Sequence, residues 1–195
     1  MRIDSDWTLF LDRDGVINER IPDTYINHWD DFRFCRGAIA ALVKLQRIFG
    51  RLIIVTNQQG IGKKFMTRQQ LELIHQKMQA EFEKVGVHID GIYYCGELKT
   101  NPNNCRKPSS SMGLQAKKDF PEINFQQSVM IGDSISDMLF GRELGMQNAF
   151  IQTKMDEQHL WEAHQPDWDW SFLTLKGFAD YLQNTQISIP QYGPK

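Results

Sequence analysis

The chain of 195 residues carries a formal net charge of −2, with acidic and basic residues intermixed, and 41% of it is apolar. That length suits one well-buried domain, expected over residues 1–195 with a loose tail at 185–195. No basic stripe invites nucleic acid, and the longest apolar runs are strand-sized, so neither a nucleic-acid partner nor a membrane span is expected. The segment from Met1 to Asp6 lacks the apolar core of a secretory signal, and the three cysteines are too few, and odd in number, for a disulfide framework. Together these point to a cytoplasmic protein with reduced thiols at Cys35, Cys95 and Cys105.

Short apolar strands alternate with helical patterns along the chain, the signature of an α/β fold with a central parallel sheet, here of about five strands. The first strand, Trp7 to Leu11, stops at Asp12-Arg13-Asp14-Gly15, two carboxylates on a turn that Gly15 permits. An irregular stretch, Glu19 to Arg36, follows. Ala38, Leu42, Leu45 and Phe49 then recur at helical spacing, with Gly50 placed as a C-terminal cap. Leu52 to Val55 is a continuous apolar run, as in a strand covered on both faces, and ends in Thr56-Asn57-Gln58-Gln59-Gly60. Thr67 and Gln70 form a capping box before the stripe Leu71, Ile74, Met78 and Phe82. Gly91 to Cys95 reads as the third strand, and an Asn-rich loop closes on Cys105-Arg106-Lys107-Pro108. A short helix over Met112 to Phe120 leads to the strand Ser128 to Ile131, the turn Gly132 to Asp137, and a helix stopped by Gly145. Asn148 to Ile151 is the fifth strand. Trp161, Trp168 and Trp170 are expected to cover the sheet, and Leu175 to Leu182 to form a last helix. No insertion is long enough for a separate cap domain.

Four strand ends thus carry polar groups to one edge of a parallel sheet: Asp12 and Asp14, Thr56 and Asn57, Arg106 and Lys107, Asp133 and Asp137. Two carboxylates as close as Asp12 and Asp14 repel, so a folded protein keeps them where a cation neutralises one or a proton does, and oxygen-only ligands suit Mg²⁺. A carboxylate can attack phosphorus, a cation can cancel the repulsion between anions, and a hydroxyl, amides and an ammonium can hold the phosphoryl oxygens. A second carboxylate two residues on can protonate the leaving alcohol and then activate water. Taken singly, each group has a plainer reading: Thr56 and Asn57 as turn caps, Lys107 as a solvated lysine, Asp137 as a first-turn helix acid. Their joint occurrence favours phosphoryl transfer.

Phe-Leu-Asp-Arg-Asp-Gly, Val-Thr-Asn-Gln, Cys-Arg-Lys-Pro and Gly-Asp-x-x-x-Asp, in this order over roughly residues 7 to 151, resemble the haloacid dehalogenase (HAD) superfamily. They are similar in particular to its capless branch of heptose bisphosphate and histidinol phosphatases. The resemblance implies a Rossmann-like HAD fold and a Mg²⁺-dependent phosphomonoesterase working through an aspartyl-phosphate. It implies Asp12 as nucleophile and metal ligand, Asp14 as general acid/base with its backbone carbonyl toward the metal, and Asp133 completing the metal site. Asp137 would orient that site from behind. Thr56 would hold the transferring phosphoryl group with Asn57 beside it, Lys107 would neutralise charge, and Arg106 would bind the rest of the substrate, where its planar fork suits a second phosphate. The implied substrate is a small sugar bisphosphate, foremost the 7-phosphate of D-glycero-D-manno-heptose 1,7-bisphosphate, hydrolysed by a monomer. Histidinol phosphate is the nearest alternative. A non-enzymatic phospho-acceptor is a remote one, since Asp14 serves turnover and a stable phospho-aspartate has no use for it.

Many relatives in that branch hold a structural zinc through Cys-x-His and Cys-x-Cys, but the matching positions here are Cys95-Gly96-Glu97 and Asn103-Asn104-Cys105. Two of four ligands are gone, so no zinc is expected, and Cys95 and Cys105 are expected as buried reduced thiols. Ser134 stands where some heptose bisphosphate phosphatases have Lys. Specificity is expected in Glu19 to Asp31, in Gln59 to Met66 with Lys63 and Lys64, and around Arg106, with Arg20, Tyr25 and His28 as possible substrate contacts.

Overall fold

A computed structural model describes residues 2–21, 24–153 and 168–187, with side chains to residue 185. The strands β1 (Thr8–Leu11), β2 (Arg51–Asn57), β3 (Gly91–Cys95), β4 (Ser128–Gly132), β5 (Gln147–Ile151) and β6 (Trp170–Phe172) form one sheet in the order β3-β2-β1-β4-β5-β6. Every pairing is parallel. Among the described residues the α-helices are α1 (Ala38–Leu45), α2 (Arg68–Glu83), α3 (Ser111–Asp119), α4 (Ile135–Leu144) and α5 (Leu175–Ile187).

The apolar runs read as buried strands because they are covered on both faces, and their two-residue period sends alternate side chains to two cores. Leu9 and Leu11 of β1, Leu52 and Ile54 of β2, and Val129 and Ile131 of β4 pack into a core with α1, α2 and α5. Phe10, Ile53, Val55 and Met130 point into the other, with Met112 and Ala116 of α3 and Phe140 of α4. Burying a side chain of this size stabilises by about 1.5–3 kcal/mol, so both faces fix the register.

The sixth strand departs from the expected five. Trp170 pairs with Ala149, so the segment extends the sheet, while its ring packs against Phe178 of α5. Trp168 does cover sheet residues, stacked on Phe150 at 4.8 Å between ring centroids. Trp161 lies outside the described residues. The last helix runs to Ile187, so 185–187 are helical, and 188–195 lie outside the described residues. Gly50 is no left-handed cap. A Cβ there would meet the Ser5 carbonyl oxygen at 1.9 Å, so glycine is needed for close approach. The Thr67–Gln70 capping box and the left-handed Gly145 cap are both present.

Because the chain winds from β1 to β2 and β3 on one side, and to β4, β5 and β6 on the other, β1 and β4 flank the switch point of the topology. Loops leaving such neighbours diverge and open a crevice beyond the carboxyl ends of the strands. Asp12 follows β1 directly and Asp133 follows β4 directly. Asp12 donates its backbone N–H to the Ile131 carbonyl at 2.8 Å, tying the two strand tips together.

Candidate active site

A cleft of about 430 Å³ opens at the switch point and is lined by Asp12, Asp14, Asn57, Arg106, Lys107, Asp133 and Asp137, among others. Thr56 lies just beneath, with 1% of its surface exposed. All the expected site residues therefore gather at one end of the sheet, and all but Arg106 fall into two side-chain networks.

The first network centres on Lys107. Its Nζ lies 3.0 Å from Asp12 Oδ1 and 2.6 Å from Asp137 Oδ1, and donates to the Val55 carbonyl at 2.6 Å. Burial opposes its charge, but Asp12 and Asp137 outweigh that and raise its pKa. Carboxylate oxygens of Asp12, Asp133 and Asp137 lie within 4.8 Å of one another. Burial and the neighbouring carboxylates push Asp12 up to about 6 despite Lys107, and push Asp133 well above its ordinary value. Like charges gathered out of water in this way fit a divalent cation with oxygen ligands, as Mg²⁺ requires. Gly15 makes the crowding possible: its φ is +94°, and a Cβ there would stand 2.0 Å from Asp133 Oδ2.

Asp137, expected behind the site, is a member of this carboxylate group and also a first-turn helix acid. Its Oδ2 accepts from Ser134 N at 3.0 Å and Ser134 Oγ at 2.6 Å, closing the N-terminus of α4, while its Oδ1 faces Lys107. Asn57 clasps Lys107 from the other side. Its Oδ1 accepts from Lys107 N at 2.9 Å and its Nδ2 donates to the Lys107 carbonyl at 3.2 Å. Both ends of the amide thus serve the backbone of the lysine.

The second network holds Asp14. Arg13 Nη2 donates to both its oxygens at 2.8 and 2.9 Å, Asn18 Nδ2 to Oδ1 at 2.9 Å, and Gln58 Nε2 to Oδ2 at 2.7 Å. Burial alone would favour the acid, but the Arg13 charge and these hydrogen bonds hold the carboxyl below its ordinary value. Gln58 also donates to Thr56 Oγ1 at 2.9 Å, which leaves the threonine its own proton to offer. Behind Arg13, His75 Nε2 lies 3.1 Å from Nη1, and burial with the guanidinium's charge lowers the imidazole pKa to about 3. At neutral pH His75 is therefore the uncharged acceptor of that hydrogen bond.

Sequence reasoning left Arg13, Asn18, Gln58, His75 and Lys99 without roles. Arg13 and Gln58 stood inside recognised motifs, and His75 was a polar residue on the apolar stripe of α2, which is a readable signal. Lys99 carried none. Of the expected specificity segments, Arg20, Ile21, Thr24, Tyr25, Ile26 and Gln59 line the cleft with Arg106, whereas His28, Lys63 and Lys64 do not. Lys63 Nζ sits 5.5 Å from the centre of the Tyr25 ring, which stacks on Phe65.

The loop before Arg106 differs from expectation. Cys95 and Cys105 form a disulfide, because the tip of β3 and the returning loop bring two Cα atoms to 5.5 Å, within the span a disulfide bridges. The Glu97 carboxylate accepts from Cys105 N at 2.9 Å. With both sulfurs bonded to each other, the residues present do not make a closed zinc site.

A HAD-hydrolase-like family model matches residues 104–170. The D-glycero-beta-D-manno-heptose-1,7-bisphosphate 7-phosphatase of Haemophilus influenzae is 39% identical over 190 residues, 94% of either chain. The D-glycero-alpha-D-manno-heptose-1,7-bisphosphate 7-phosphatase of Mycobacterium bovis is 37% identical over 68% of this chain and 70% of its own. Among solved structures, D,D-heptose 1,7-bisphosphate phosphatase from B. bronchiseptica, complexed with magnesium and phosphate, superposes with a TM-score of 0.83. It covers 92% of this chain and 99% of its own at 24% identity, a likeness of fold. The chain belongs to the heptose-bisphosphate phosphatase family of the HAD superfamily and is a HAD-type phosphatase.

Proposed function

We propose that the chain removes the 7-phosphate of a D-glycero-D-manno-heptose 1,7-bisphosphate, with Mg²⁺ and through an aspartyl-phosphate on Asp12. The observation that carries this reading is one cleft lined both by Lys107 with the carboxylates of Asp12, Asp133 and Asp137 and by Arg106, whose buried Nη1 has no hydrogen-bond partner among the described residues. An unpaired buried donor costs about 1–3 kcal/mol, which an incoming anion would offset. The names of relatives 37–39% identical supply the sugar.

Asp12, Asp133 and Asp137, with the backbone carbonyl of Asp14, would hold Mg²⁺, which when bound neutralises nucleophile and phosphoryl oxygens. The Asp12 carboxylate forms the bond to phosphorus as the bond to the sugar oxygen breaks, and Asp14 gives that oxygen its proton. Asp14 then takes a proton from the water that attacks the acyl-phosphate, releasing phosphate and restoring Asp12. Arg13, Asn18 and Gln58 hold Asp14 ionised, the form the second step uses. For the first step it must take up a proton and loosen from Arg13. Lys107 keeps Asp12 in line and Asn57 keeps Lys107 in place, while Thr56 and nearby amides face the equatorial oxygens. Arg106, with Lys99 in the lining of the same cleft, meets the phosphate that stays.

Phosphate release from both anomers of heptose 1,7-bisphosphate, histidinol phosphate and a 3′-phosphorylated oligonucleotide, with Mg²⁺ and with chelator, tests the reading. Strong Mg²⁺-dependent preference for one heptose anomer is expected. Equal weak release from all four substrates would overturn the substrate. Relatives named for either anomer match about equally, so this panel also decides the anomer.

A further inference from the structure

Arg20 lines the cleft, and the chemistry above leaves it without a role. Its side chain is about half exposed (47%), yet it reaches inward to place Nη1 3.4 Å from Asp133 Oδ2, a buried oxygen. Its stem lies over the first motif, since a Cβ on Gly15 would meet Arg20 Cδ at 3.2 Å. The guanidinium sits on a long stem, and the separation exceeds the usual 2.7–3.2 Å of an N–H···O bond. The pair is therefore held loosely.

Its partner belongs to the group expected to take the metal. Asp12, Asp133 and Asp137 crowd together with Lys107 as the buried ammonium among them, and Lys107 touches Asp12 and Asp137. Asp133 pairs with Arg20 and accepts a hydrogen bond from Thr153 Oγ1 at 2.9 Å. A divalent ion among the three carboxylates would neutralise Asp133 and repel the guanidinium. Arg20 lines the same cleft as Tyr25, Lys99 and Arg106, so the side chain freed from Asp133 remains within the space a substrate enters.

We propose that Arg20 stands in for the metal ion at Asp133, is displaced when Mg²⁺ binds, and then contacts the phosphate that the enzyme does not cleave, alongside Arg106. This second role rests on the bisphosphate reading; the first does not. Arg20 thus couples metal loading to capture of a substrate with two anionic ends, as a binding residue that never touches the reacting phosphorus.

Calorimetric titration with Mg²⁺ alone, without substrate, tests the first role on wild type, Arg20→Met and Arg20→Lys. Losing a half-exposed competing cation is expected to tighten Mg²⁺ binding about two- to fivefold in Arg20→Met, with Arg20→Lys in between. Equal or weaker Mg²⁺ binding in Arg20→Met would overturn the displacement. The second role is read from KM and kcat at saturating Mg²⁺ on the heptose bisphosphate and on p-nitrophenyl phosphate, which has no second anion. A several-fold rise in the bisphosphate KM with little change in kcat, absent for the monoester, is expected. An equal change for both substrates would overturn the contact. If wild type fails to hydrolyse any heptose bisphosphate, the proposed substrate falls, whereas the Mg²⁺ titration still decides the displacement.

Discussion

Lys107 is almost wholly shielded from solvent and held by oxygens of Asp12, Val55 and Asp137. Removing one partner of a buried ion pair leaves uncompensated charge and costs about 3–5 kcal/mol. Lys107→Met is therefore expected to lower unfolding free energy by that order in denaturant titrations, besides abolishing activity. Asp14→Asn conserves volume but sets an amide N–H₂ among the donors of Arg13, Asn18 and Gln58 and removes the charge partner of the buried Arg13, so it too is expected to lower stability. Measured on the folded variant, kcat should fall by about 10²–10⁴; retained phosphate release would refute the role of Asp14 in proton transfer. His75 gives a pH signature. Its pKa is lowered to about 3 in the fold, against about 6.5 unfolded, so between these values the unfolded chain binds the extra proton. The His75 contribution to stability is thus full above about pH 6.5 and is lost on acidification toward 3, by up to about 1.4 kcal/mol per pH unit. His75→Gln should flatten that part of the stability-against-pH curve, even if the variant is less stable at every pH. Asp12, Asp14 and Asp133 were legible in the sequence because each stands in a strand-end motif, and Lys107 because it stands in Cys-Arg-Lys-Pro, in the loop between β3 and α3. The ring around Asp14 was not, since it joins Arg13 and Asn18 to Gln58 and His75, residues that only the fold brings together.

At the scale of elements, the strands announced themselves because both faces are buried, and the Thr67 and Gly145 caps obeyed local rules. What escaped was set by distant contacts. The three residues of β6 carry too short a pattern to distinguish a sheet edge from a covering loop, and Gly50 answers to a neighbouring carbonyl rather than to its own helix. The disulfide escaped for the same reason: cysteine number argued for thiols, while the meeting of the β3 tip with the loop before Arg106 is a property of the folded chain. That bond closes a loop between residues ten apart in sequence, worth about 2–3 kcal/mol on the chain-entropy account. It also anchors the segment that presents Arg106 and Lys107. Oxidised protein is expected to yield one thiol after denaturation and three after denaturation with reduction. The native Cys35 thiol should react slowly, since burial and nearby carboxylates push it up to about 12. Cys105→Ser should lower stability by the stated amount; an unchanged denaturation midpoint, or three thiols without reduction, would refute the staple.

For the whole molecule, the strand order places β1 and β4 side by side, and the site inherits its strain from that arrangement. Two strand tips joined at Asp12 and Ile131 bring Asp12 against Asp133, and α4 adds Asp137. No rule of the sequence required the three carboxylates to crowd; the topology does. The raised pKa values of Asp12 and Asp133 mean that the metal-free fold binds protons more tightly than the unfolded chain. This destabilisation is absent below the unfolded carboxyl value and grows as pH rises through about 6. At neutral pH the site is therefore held folded against its own repulsion, and a cation that binds the native state relieves it. Mg²⁺ at a hundred times its Kd should stabilise wild type by about 2.7 kcal/mol, a shift that chelator reverses. Asp133→Asn removes one of the crowded charges while conserving volume. The metal-free variant is expected to be more stable than metal-free wild type at pH 7, to gain almost nothing from Mg²⁺, and to release no phosphate. A variant less stable than wild type in chelator would mean that the carboxylates are not in conflict, and would remove the physical basis for placing the metal among them.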